Sequence, residues 1–153
     1  MEGECLCKAV QVRVNDDNLF GSQRRGHICH CANCRKIAGG IFGVNLTIEE
    51  DKVEFLRGKG GIKTYADPET MSGTPVNRNF CGTCGCPIFS QTPVYKGKII
   101  LKLGLYPKLP VPEWESFVKD KQAWETPMPG TMQFTSKSGG DRVRGSLEVA
   151  DKV

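Results

Sequence analysis

Eight of the 153 residues are cysteine, and their spacing limits what this chain can fold into more than any other feature. They form three groups: Cys5-x-Cys7, Cys29-x-Cys31-x-x-Cys34 and Cys81-x-x-Cys84-x-Cys86. Close pairs suit a metal ion, because two sulfurs carried by one tight turn can each sit about 2.3 Å from a single zinc. The competing use is a disulfide framework. The opening "MEGECLCKAV" lacks the basic and apolar regions of a secretory signal. The expectation is therefore a cytoplasmic, reducing environment in which clustered cysteines serve metals. No apolar run approaches the roughly 18 residues of a membrane-spanning helix.

Cys5, Cys7, Cys81 and Cys84 can close a four-sulfur structural site. Cys29, Cys31 and Cys34 then form a three-sulfur site whose fourth position is left for water or a ligand, the feature that separates catalytic from structural zinc. Spacing alone does not force this pairing. Cys86 is the spare that can complete the second site and make both structural, or it is a small buried hydrophobe. Gly82 and Gly85 in "CGTCG" permit positive φ and let backbone amides turn toward the sulfurs. His30, wedged between two ligands, is a candidate ligand or proton-transfer group, although such a residue often points away. His27 reads as a surface histidine. Arg35 and Lys36 are either solvated or placed to favour thiolates and an anionic substrate.

The formal charge of +4 counts every cysteine as neutral. Seven thiolates and two zinc ions together would shift it by about −3. The resulting near-neutral chain, with aromatics not interleaved among basic residues, argues against a nucleic-acid partner. Length suits one domain with a real core.

Apolar residues alternate at 10–14, "VQVRV", and at 41–48, "IFGVNLTI", where Phe42, Val44, Leu46 and Ile48 share a face. Weaker strands are expected at 53–57 and 62–66. The strongest is 98–105, "KIILKLGL", with Ile99, Leu101, Leu103 and Leu105 on one face. Turn formers punctuate these segments, so the fold class is all-β, built of short antiparallel strands. A short helical turn is expected at "RKIAGG", and "WESFVKDKQAW" is a candidate short helix. The domain is placed at 1–135, with 136–153 a polar tail whose "VRGSLEV" can dock as an edge strand.

With these residues in view, the chain resembles the glutathione-dependent formaldehyde-activating enzyme family, also called the centromere protein V/formaldehyde-activating domain. The matching stretches are "GECLCKAV" at 3–10, "CHCANCRKIAGG" at 29–40, "FCGTCGCPIF" at 80–89 and "PEWESFVKDKQAWETPMPGTMQF" at 112–134, the last most like fungal members. The resemblance implies a β-tent fold with two zinc sites. It assigns Cys5, Cys7, Cys81 and Cys84 to a structural zinc and Cys29, Cys31 and Cys34 to a catalytic one. It also implies lyase-type chemistry joining or separating a small carbonyl compound and a thiol, with glutathione a candidate co-substrate. Three positions depart from the family pattern: Lys8 replaces a usual glycine, Cys86 stands where a small or hydroxyl residue is common, and Trp114 lies near a usual histidine.

The leading expectation is thus a zinc-dependent carbon–sulfur lyase acting on a small thiol–carbonyl adduct. A hydrolase or dehydratase using zinc-bound water, and a non-catalytic zinc-stabilised binding module, are the alternatives. No carboxylate stands out as a general base. Glu49, Glu50 and Asp51 read as a solvated turn, leaving Glu69 and Glu113 as unsupported candidates; His30 and Arg35 are the weak catalytic candidates. Phe42, Tyr65, Phe89 and Trp124 read as core packing rather than pocket wall. The sequence leaves the oligomeric state open.

Overall fold

The computed structural model describes residues 1–21 and 25–146. In chain order it contains β1 (Glu2–Glu4), β2 (Gln11–Val14), β3 (Gly26–Cys29), α1 (Ala32–Ala38), β4 (Gly43–Glu49), β5 (Val53–Arg57), β6 (Ile62–Asp67), β7 (Val76–Cys81), β8 (Pro87–Gln91), β9 (Lys98–Lys102), β10 (Pro112–Ser116) and β11 (Met132–Gln133). Short 3-10 turns punctuate the strands. The all-β expectation is met by a largely sheet structure with one short α-helix among the described residues.

The chain divides into two units, Met1–Asp16 with Leu46–Leu109, and Asp17–Asn45 with Pro110–Val153, so that β4 contributes to both. In the first unit β1, β2 and β5 form an antiparallel three-stranded sheet. A second set of strands runs in the order β4-β9-β8-β7-β6, and its pairings from β9 to β6 are antiparallel. Its core is aliphatic. Val10, Val12, Val14, Leu46, Ile48, Ile88, Ile99, Leu101 and Leu103 are all buried. Each such side chain contributes about 1.5–3 kcal/mol through removal of apolar surface from water.

In the second unit β10 lies between β3 and β11 and is parallel to both. That corrects the expectation of antiparallel strands throughout. Parallel neighbours need a long crossover, and β3 and β10 are distant enough in sequence to supply one. This unit buries polar groups at its centre: His30, Asn45, Glu115, Ser116 and Thr131 are all inside, beside Leu19, Ile28 and Phe134.

Other expectations need adjustment. The strand at 98–105 stops at Lys102, and Leu103–Leu105 turn as a 3-10 helix, although all four apolar side chains remain buried. On β4, Leu46 and Ile48 are buried as expected, but Asn45 is buried too. The helix expected within "WESFVKDKQAW" is absent. Residues 112–116 are β10, Phe117 takes the left-handed φ of 58°, and Val118–Asp120 form a single 3-10 turn. A left-handed residue cannot continue an α-helix, and pairing with β3 holds the preceding residues extended. Tyr65 and Trp124 are 60% and 69% exposed, not core, because Tyr65 lies on the end strand β6 and Trp124 on a loop. Phe89 is buried against Phe55, as expected. Within the polar tail, Thr135 N–H donates to the Asp141 carbonyl and Val143 N–H to that of Gln133. "VRGSLEV" extends to 149 and so lies partly outside the described residues; its first part, Val143–Ser146, is a turn.

Gly58 sets one tight junction of the first unit. It sits at φ 75°, and a Cβ there would overlap the Ala9 carbonyl oxygen. Gly58→Ala should therefore destabilise the protein by about 2 kcal/mol or more, through strain plus displacement of the β2 approach, measured as a drop in the denaturant midpoint.

Candidate metal centres and the buried carboxylate beside one of them

The four-sulfur group is built from two turns of the first unit. The first lies after β1. Lys8 N–H donates to the Cys5 carbonyl at 2.8 Å, and Val10 N–H donates to Cys5 Sγ at 3.2 Å. The turn requires φ 62° at Lys8, the position where a glycine would be free of strain. The second begins at the end of β7. Gly85 N–H donates to the Cys81 carbonyl at 2.9 Å with Gly85 at φ 73°, and Cys81 N–H donates back to the Cys86 carbonyl. Gly82 is needed for a different reason than expected: a side chain there would strike the Gly61 carbonyl.

These turns bring the sulfurs of Cys5, Cys7, Cys81 and Cys84 within 4.8 Å of one another. Cys5–Cys7 and Cys7–Cys81 are 3.6 and 3.7 Å apart. A tetrahedral zinc with 2.3 Å bonds requires sulfur–sulfur edges of about 3.8 Å, so the donor set fits that ion. None of the eight cysteines is joined in a disulfide. Backbone N–H groups of Cys86 and then Cys7 draw the Cys84 thiol down to about 6, and the N–H of Cys84 lowers that of Cys81. Thiolates are thereby favoured where a cation would sit.

The three-sulfur group is built in the second unit around α1. Cys29 ends β3, Cys31 caps the helix by accepting the Cys34 N–H at 3.4 Å, and Cys34 faces inward from the first turn. The expected helix thus begins earlier than "RKIAGG", at Ala32, and closes on Gly39. The three sulfurs also lie within 4.8 Å of one another, with Cys29 and Cys31 3.4 Å apart. Cys29 is held well above the ordinary thiol range by the sulfurs of Cys31 and Cys34 and by burial. A cation would relieve that crowding, so the donor set again fits zinc. Among the described residues no fourth cysteine, histidine or carboxylate joins this group. Gly43 passes close by; a Cβ there would come within 3.3 Å of Cys34 Cβ.

Cys86 belongs to neither group. Its neighbours are those of the four-sulfur group, since burial and then the charges of Cys84, Cys5 and Cys81 raise its thiol. Arg35 is half-buried, with Nη1 donating to the Asp120 carbonyl at 3.4 Å, while Lys36 is exposed. His27 stacks on Trp114, ring centroids 5.0 Å apart and planes 9° apart, rather than standing free at the surface.

His30 turns away from the sulfurs. It is 1% exposed, and Nε2 donates to Glu115 Oε2 at 2.8 Å. Nδ1 lies 3.2 Å from Glu125 Oε2 but is not aligned for a hydrogen bond, so that contact is one of proximity. Phe42 meets the ring edge-on at 5.5 Å. Glu115, a residue sequence reasoning does not single out, is itself 1% exposed. Besides His30 it accepts from Lys121 Nζ at 2.8 Å, Met128 N–H at 2.7 Å and Thr131 Oγ1 at 3.0 Å. Burial raises this carboxyl, but the hydrogen bonds from His30, Lys121 and Met128 outweigh it and hold the group at about 2. No sequence signal finds Glu115: strand alternation in "PEWES" sets Pro112 and Trp114 on one face and Glu113 and Glu115 on the other, which would send Glu115 outward, whereas Glu115 and Ser116 beside it are both buried.

A cavity of about 440 Å³ lies elsewhere, in the first unit, lined by Glu2, Glu4, Gln11 and Tyr106 among others. Glu2 pairs with Arg13 and Glu4 with Lys8 at its exposed rim.

Fold and sulfur groups together define a cysteine-rich β-sheet protein able to hold metal ions. The profile of the glutathione-dependent formaldehyde-activating enzymes matches residues 1–120, and the chain belongs to that family. A Talaromyces marneffei protein, named provisionally as a glutathione-dependent formaldehyde-activating enzyme, is 30% identical over 87 residues. The match takes in 57% of this chain and 41% of that protein, so the chain spans under half of its relative's length. A Rhodobacter sphaeroides protein of known crystal structure shares the fold with a TM-score of 0.53 at 24% identity, over 71% of this chain and 90% of the other. No helix among the described residues is long and apolar enough to cross a membrane.

The local geometry sets two outcomes. Lys8→Gly relieves a left-handed non-glycine residue and should raise stability by about 1 kcal/mol, read as an increased melting temperature. Glu115 sits at about 2 in the folded chain against an ordinary 4.5. A depressed carboxyl stabilises the fold above its unfolded pKa and loses that contribution as pH falls through the folded one. Glu115→Gln should therefore cost about 2–3 kcal/mol from pH 7 down to pH 5. The gap to wild type in urea midpoint should narrow as pH falls from about 4.5 toward 2.

Proposed function

We propose that this chain is a zinc-dependent carbon–sulfur lyase-type enzyme acting on a small adduct of a thiol and a carbonyl compound, with glutathione a candidate thiol. Family membership supports the reaction class. The observation that carries the assignment of the site is the contrast between the two sulfur groups: one has four sulfurs, the other three with no further protein donor among the described residues. In this reading Cys5, Cys7, Cys81 and Cys84 hold a structural zinc within a β-tent domain, and Cys29, Cys31 and Cys34 hold the catalytic one.

When bound, such an ion supplies an open coordination position that can take a substrate sulfur or a water. Three thiolates leave that centre with an excess negative charge, which favours positioning of a ligand over strong polarisation of a carbonyl. The chain's own residues do the rest. The α1 cap fixes Cys31 and Cys34 on one turn. Burial of Cys29 and Cys34 keeps bulk water from two of the three sulfurs. Lys36, exposed in the last turn of α1, supplies positive charge for an anionic substrate, while the Arg35 guanidinium is braced by the Asp120 carbonyl.

Cys31→Ser should lower zinc content from two ions to about one per chain and abolish turnover of a glutathione–aldehyde adduct. Loss of one zinc with turnover unchanged would exclude a catalytic role for that site. Zinc-dependent turnover in the absence of any thiol would replace the lyase reading with a hydrolase or dehydratase using zinc-bound water.

A further inference from the structure

We propose that Glu115 is the positioning residue of the three-sulfur site, fixing the Cys29–Cys31 backbone through His30 and binding the 117–131 segment to the same anchor. This rests on the reading that Cys29, Cys31 and Cys34 hold a metal.

His30 is the residue between Cys29 and Cys31, so its orientation sets the path of the backbone that presents both sulfurs. Its ring is held on one side by Phe42 and at Nε2 by Glu115. The backbone is held in step by His30 N–H donating to the Ser116 carbonyl at 3.0 Å and Ser116 Oγ donating to the Ile28 carbonyl at 3.2 Å. Glu115 and Ser116 both belong to β10, so this strand acts as the template for the cysteine motif.

The same carboxylate organises the segment after β10. Lys121, Met128 and Thr131 all donate to it, drawing the two ends of a loop onto one buried group. Phe117, the residue that starts this segment, is held at φ 58°, a conformation costly for an aromatic side chain, and its N–H donates to the Ser136 carbonyl at 2.7 Å. Glu125, also in the loop, keeps its carboxylate against His30 Nδ1. The loop and the cysteine motif therefore cannot shift independently. Partners hydrogen-bonded directly to metal ligands typically change metal affinity by about 10–100-fold when removed; Glu115 acts one residue further out, through His30, so the low end of that range is expected.

The test tracks zinc release from the fully loaded protein into a chromophoric chelator. Wild type should release two ions in two phases, and Cys31→Ser identifies which phase belongs to the three-sulfur site. Glu115→Ala should accelerate that phase about 10-fold or more and leave the four-sulfur phase unchanged. Glu115→Gln, which keeps one acceptor oxygen for His30 but loses the charge that Lys121 pairs with, should accelerate the same phase by a smaller but measurable factor, and that selective acceleration is the readout if Glu115→Ala does not fold. In cobalt-loaded protein the same variants should shift the visible bands of the three-sulfur site only. Equal acceleration of both phases, or no change in either, overturns the proposal. A wild type that binds a single ion, which Cys31→Ser retains, instead removes the metal reading of the three-sulfur group itself, so the two failures are distinguishable.

Discussion

Sulfur atoms held a few tenths of an ångström short of 4 Å from one another set the terms for this structure. At 3.4–3.7 Å they are far beyond bonding distance and close to the edges of a zinc tetrahedron. Seven thiols gathered this way favour a cation, because ionising one makes the next harder to ionise. The strands that end at the cysteines, and the turns after β1 and β7, are placed to meet that requirement. The chain tolerates a left-handed lysine at position 8 to do so.

The two groups solve the same problem with different surroundings. The four-sulfur group sits on tight backbone turns whose N–H groups point at sulfur and stabilise charge there. The three-sulfur group is more buried, and the structure around it is polar and interlocked rather than aliphatic. Its motif leans on a buried carboxylate with four good donors, an arrangement that is costly when half-satisfied and rigid when complete. Under the proposed reading, such rigidity on the protein side would suit an ion held by three sulfurs, since the fixed three would define where a further ligand binds.

Much of this is legible in residue order. Period-two alternation marks β2, β4 and β5, and the apolar positions from Ile99 to Leu105 read as buried. The pattern fails where burial on both faces or a polar interior hides the alternation. β3 carries only four residues, "GHIC", and β8 is buried along Ile88–Ser90, so neither shows a polar face. The charges of β10 and the residues after it suggest a solvated helix, whereas Glu115 is buried and Trp114 stacks on His27. Tyr65 and Trp124 mislead for the converse reason: aromatic character predicts burial on average and says nothing about a strand at the end of a sheet or a loop tip.

The sequence by itself determined the cysteine partners of each turn, since spacing of two or three residues confines both sulfurs to one small volume. It also determined the all-β character and the family. Only the tertiary structure decided which turns meet. Cys5 and Cys81 are 76 positions apart, and no local rule pairs them until the first unit folds its strands together. The same holds for His30 and Glu115, 85 positions apart, whose contact exists because β10 returns parallel to β3. Tertiary structure also decided that Cys86 lies beside the four-sulfur group rather than completing the three-sulfur one. A local turn fixes distances by covalent geometry, whereas distant contacts depend on which surfaces the whole chain can bury at once.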